Sequence, residues 1–108
     1  MADWQSEIQA EFDRAAQARQ RNNEGQARVC ARRAAGIAVR EYLTRRGIRP
    51  PSTSAYDLLN LVREDPLLPT DLKQIAGHLT VRVTGEFKLP VDVDLVAEAR
   101  EFCDRLLR

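Results

Sequence analysis

Along most of the chain, apolar residues recur every three or four positions, the spacing of helices with one buried face. In residues 3–20, Trp4, Ile8, Phe12 or Ala15, and Ala16 or Ala18 mark such a face. Asp3 is placed to cap the first amides, and Arg19 and Arg21 suit the negative end of the helix dipole. Asn22, Asn23 and Gly25 predict a turn. A second helix follows over about 24–46, with Ala27, Cys30, Ala31, Ala34, Ile37 and Ala38 on one face and Val29, Gly36 and Leu43 on another. A helix apolar on two faces is expected at the centre of the fold. Gly36 lowers helix propensity by roughly 1 kcal/mol relative to Ala, so it predicts a tight crossing or a dimer contact.

Gly47 and then Pro50 and Pro51 stop that helix. Ser52, Thr53 and Ser54 offer caps for a short third helix carrying Leu58, Leu59, Leu61 and Val62, ended by Asp65 and Pro66. Pro69, Thr70 and Asp71 open a fourth with Leu72, Ile75, Ala76 and Leu79 inward. Residues 80–84 (Thr80, Val81, Arg82, Val83 and Thr84) alternate like a strand, but one strand with no partner makes no sheet, so they are assigned to the last turns of this helix. Residues 85–91 form a loop with Pro90. Asp92 or Asp94 caps a final helix running to Leu107, with Leu95, Val96, Ala99, Phe102, Cys103, Leu106 and Leu107 on its apolar side. The predicted fold is an all-α, antiparallel up-and-down bundle of four to five helices, with residues 1–108 forming a single domain.

Composition adds two facts. Cys30 and Cys103 stand far apart with no companion ligands, so they read as buried thiols of a cytoplasmic protein, and no apolar run approaches the roughly 20 residues of a membrane span. The near balance of 17 basic and 16 acidic residues hides a segregation. Residues 1–13 carry only acids. Residues 14–49 carry ten arginines against Glu24 and Glu41, and residues 50–108 are again net acidic. Arginine's planar fork suits phosphate or carboxylate, so the central block allows a nucleic-acid, nucleotide or acidic-protein partner. It equally suits a solvated helix face paired with the flanking acids.

Catalytic motifs are few. The glycines are dispersed, so neither a phosphate-binding loop nor a dinucleotide fingerprint is present. One histidine and scattered acids argue against a metal site, and no cofactor is expected. Cys103 beside Phe102 on an apolar stripe predicts a raised thiol pKa and little reactivity. His78, with Arg82 four residues on, forms a pair able to grip a phosphate.

The run of Glu24, Gly25, Ala27, Cys30, Ala31, Ala34, Ala35 and Ala38, then Glu41, Tyr42, Leu43 and Gly47, resembles the second helix of HEPN domains, the higher eukaryotes and prokaryotes nucleotide-binding family. A short leucine-rich helix, a proline-led helix and a last helix opening near Asp94 extend the likeness over residues 24–107. The resemblance implies an antiparallel bundle that forms a homodimer. It also implies either a role beside a separately encoded small nucleotidyltransferase or a ribonuclease of toxin–antitoxin type. The ribonuclease branch needs an arginine followed four to six residues later by a histidine. Here Arg63 lies too far before His78, and Arg82 comes after it. In the nucleotidyltransferase-associated branch a tyrosine and an arginine stand where this chain has Val83 and Glu86.

The expected function is therefore that of a non-catalytic HEPN-like module, dimeric, binding a nucleotide, RNA or a protein. Arg33, Arg40, His78 and Arg82 are its anion contacts. Arg33 and Arg40, seven residues apart, lie about 40° around the helix from the Val29, Gly36 and Leu43 stripe and so beside any dimer seam there. The alternatives are a diverged HEPN ribonuclease using His78 and a purely structural interaction protein.

Overall fold

Asp3 begins the first helix by accepting the Ser6 amide at 2.7 Å. The computed structural model describes residues 3–81 and 94–107. They form five helices: α1 (Trp4–Gln20), α2 (Glu24–Arg45), α3 (Ala55–Arg63), α4 (Thr70–Leu79) and α5 (Leu95–Leu106). No strand occurs among the described residues. Side chains cap four of the five N-termini, because a short acceptor there satisfies an amide with no partner inside the helix. Besides Asp3 these are Asn23 accepting from Gln26, Ser54 from Asp57 and Asp94 from Ala97. Pro69 stands at the start of α4 without a side-chain cap.

The stops are equally local. Gly47 takes φ 74° after α2, and the Ile48 amide returns to the Leu43 carbonyl at 2.9 Å, closing the helix with a left-handed residue. Asn22 does the same after α1 at φ 58°, with the Asn23 amide on the Ala18 carbonyl at 2.8 Å. Gly25 is not part of that turn but lies in the first turn of α2. The β-branched run after Leu79 does not prolong α4 as the sequence reading had it. The Thr80 hydroxyl folds back onto the Ala76 and Gly77 carbonyls at 3.1 and 3.0 Å and Val81 is non-helical. Residues 82–84, the loop with Pro90 and the alternative cap Asp92 lie outside the described residues.

α2 is the central helix, packed against α1, α3 and α5. Its Ala27, Cys30, Ala31, Ala34, Ala35, Ala38 and Val39 are all fully enclosed. They meet Phe12 and Ala15 of α1, Leu59 and Val62 of α3, Leu79 of α4, and Ala99 and Phe102 of α5 in one core. Small side chains on three sides let three helices approach one. α1 and α2 form an antiparallel hairpin, since Arg19 reaches Glu24 beside the turn while Arg40 reaches back to Glu7 and Arg45 to Trp4.

Gly36 answers its own question. A Cβ there would stand 2.6 Å from the Ala55 Cβ and 2.8 Å from its Cα, so the glycine exists to admit the first residue of α3. Gly36 and Leu43 are buried within the chain. Val29 and Ile37 depart from the expected pattern, being only half-buried.

Candidate functional site

Val29 and Ile37 are half-exposed because they border a groove of about 550 Å³ between α1, the middle of α2 and the start of α3. Gly36 and Leu58 also line it. Along the α2 side stand Arg32, Arg33 and Arg40, and along the α1 side Glu7 and Glu11. Thr53, Ser54 and Tyr56, at the N-terminus of α3, line the third side. One wall therefore offers guanidinium forks and a helix's positive end, and the opposite wall offers carboxylates.

Its charged groups differ in how they are committed. Arg40 donates to Glu7 at 2.9 Å across the groove. Arg32 donates through Nε to the Leu79 carbonyl at 2.7 Å, closing the C-terminus of α4. Arg33 is exposed and makes no ion pair among the described residues. Glu11 is only 9% exposed, which is unusual for a carboxylate. Its Oε2 lies 3.3 Å from the exposed Arg14, while Oε1 is enclosed with no hydrogen-bond partner among the described residues.

Much of the arginine block is engaged in holding the bundle together. Arg19 bridges Glu24 and Asp94 at 2.8 and 2.7 Å, joining the ends of α1, α2 and α5. Arg45 pairs with Glu41 and donates to the Leu107 carbonyl at 2.9 Å. Arg46 reaches Asp65 at 2.6 Å and the Tyr42 hydroxyl at 3.0 Å, and Tyr42 itself donates to Asp65 at 2.7 Å. Burial pushes the Asp65 carboxyl upward, but the Leu67 amide, the Tyr42 hydroxyl and the Arg46 charge outweigh it and hold the group below its ordinary value.

Of the expected anion contacts, the structure brings Arg33 and Arg40 to one groove and does not bring His78 there. His78 faces α5, with Nδ1 2.7 Å from Glu98 Oε1, and ties α4 to α5. Arg82 lies outside the described residues. Both cysteines are free and buried. Burial pushes the Cys103 thiol up to about 12, with nearby Arg100 only partly opposing. Among the described residues no three His, Cys, Asp or Glu side chains gather to hold a metal ion, and no described helix is long and apolar enough to cross a membrane. The sequence reading missed Glu11 entirely. Its spacing, seven from Trp4 and Ala18, three from Ile8 and four from Ala15, puts it on the apolar face of α1, and that was the signal that could have marked it.

Comparison with known proteins finds no family model, no curated protein and no solved structure that matches the chain. The functional reading rests on the groove and its residues.

Proposed function

We propose that this chain is a non-catalytic helical binding module that takes the phosphate of a nucleotide, free or at an RNA end, in the groove beside Arg33 and Arg40. The observation that carries the reading is Arg33. It is exposed and unpaired among the described residues, on a groove whose adjoining wall is the N-terminus of α3. A guanidinium fork beside the positive end of a helix is a favourable anion environment. Arg40 adds a second fork, since its bond to Glu7 joins two side chains that are 42% and 38% exposed and is weak enough to be exchanged. The groove volume falls within the roughly 300–1,000 Å³ of small-molecule sites.

The HEPN-like order of elements supports the same reading, and with it a homodimer and a companion role to a separately encoded small nucleotidyltransferase. The non-catalytic part of the proposal is supported by the placement of His78 against α5, away from the groove, and by the high pKa of Cys103. Two free buried thiols suit a cytoplasmic setting. A second reading, a structural interaction protein, is favoured by a separate observation. Of the ten arginines between residues 14 and 49, Arg14, Arg19, Arg40, Arg45 and Arg46 form ion pairs within the chain.

Labelled single-stranded RNA and mononucleotides, titrated at two salt concentrations alongside light scattering for the oligomeric state, separate the two. The nucleotide reading expects binding that weakens steeply with salt and is lost in Arg33→Ala and Arg40→Ala, with the helical signal unchanged. Absence of binding at either salt concentration leaves the structural reading.

A further inference from the structure

A phosphate site needs only the guanidinium wall, and the groove has a second wall that works against phosphate. Glu11 carries a carboxylate oxygen with no hydrogen bond among the described residues, in a residue that is 9% exposed. An enclosed acceptor without a donor is destabilising, and a donor arriving from outside would relieve that cost. Glu7, one helical turn earlier on the same side, is partly exposed and can meet water when Arg40 turns to a phosphate, whereas the enclosed Glu11 Oε1 has no such recourse. Its Oε2 meets only Arg14, a side chain 60% exposed and free to swing away. The terminal torsion of a glutamate is soft, so the carboxylate can turn when a ligand binds.

The ligand must then be anionic at one end and rich in N–H donors at the other. Nucleotides fit this description, and the bases differ in the donors they carry. Adenine and cytosine each present a single exocyclic amino group on the Watson–Crick edge. Guanine presents two adjacent donors, the ring N1–H and the exocyclic amino group, spaced to meet both oxygens of one carboxylate. Tyr56, an aromatic residue of the type on which bases stack, also lines the groove. We propose that Glu11 reads a guanine base, so that the groove selects a guanosine nucleotide, with the base on the α1 wall and the phosphate on Arg33 and Arg40. This inference rests on the nucleotide reading above and adds to it the identity of the base.

The test is competition among GMP, IMP, AMP and CMP for the full chain, repeated with Glu11→Gln. Inosine keeps N1–H and lacks the amino group, so the expected order places GMP first, IMP next and the other two last. The gap between GMP and AMP should be about tenfold or more, the usual worth of a hydrogen bond to a charged group. Glu11→Gln, nearly the same size with one donor and one acceptor, should bring GMP and AMP to similar affinity. It should also leave the unfolding midpoint unchanged or raised, because it removes a buried charge with no bonded Oε1. Equal, salt-sensitive binding of all four nucleotides by the parent chain would overturn base recognition and leave the phosphate site standing. A guanine preference that survives in Glu11→Gln overturns the role of Glu11. Failure of every nucleotide to bind removes the phosphate site, and the base recognition falls with it.

Discussion

Cys103 illustrates how the fate of one side chain follows from its neighbours. It sits on the inward stripe of α5 beside fully buried Phe102, and the loss of water around the sulfur disfavours the thiolate. With its pKa near 12, hardly any thiolate exists at pH 8. A thiol-exchange reagent at that pH should leave both cysteines of the native protein unmodified over a time in which the urea-unfolded chain reacts fully. Rapid labelling of native Cys103 would contradict its burial. This much was legible in the sequence, because the helical spacing put Cys103 on the apolar side next to a large ring. The partners of the arginines were not. Arg32 bonding to the Leu79 carbonyl and Arg45 to the Leu107 carbonyl join residues 47 and 62 positions apart, and no local pattern encodes such a bond. They are long side chains from the central helix closing the ends of its neighbours, a role visible only once the helices are packed.

Among the elements, helix identity was legible almost throughout. Caps, glycine stops and apolar spacing act within one or two turns, and apart from the C-terminus of α4 the helix ends fall close to where those signals put them. The exception is the β-branched stretch after Leu79, where Thr80 bonds the last carbonyls and ends α4. Gly36 shows the other limit, since its purpose depends on a residue of another helix. Its expected tight crossing is real, and the close neighbour is Ala55. Gly36→Ala should gain up to about 1 kcal/mol in helix propensity but lose more through the clash, because the contact at 2.8 Å is with the Ala55 backbone. Chemical denaturation should show a net loss of about 1–2 kcal/mol. Adding Ala55→Gly to the same chain should recover only part of it, since the Cα remains. A stability equal to or above that of the parent would mean the crossing can open without cost.

For the molecule as a whole, three carboxylates join separate helices. Asp94 is held low by Arg19 and the Ala97 amide, Asp71 by Arg105, and Asp65 by the Leu67 amide, Tyr42 and Arg46 against its burial. In the unfolded chain each returns to about 3.9. A carboxyl depressed in the folded state contributes stability that is fully present above its unfolded value and is lost as pH falls through the folded one. The urea midpoint should therefore drop as pH goes below about 4. Asp65→Asn, which removes the least exposed of the three, should start lower at neutral pH and fall less steeply. An identical slope would mean that Asp65 titrates alike folded and unfolded. Arg45 carries one more implication. Its guanidinium lies over the Trp4 ring at 5.2 Å and donates to the Leu107 carbonyl, so positions 103 residues apart along the chain share one side chain. A short peptide bridge there would close the backbone into a ring. By the same geometry, any protein fused before Trp4 or after Leu107 would emerge from the same corner of the bundle.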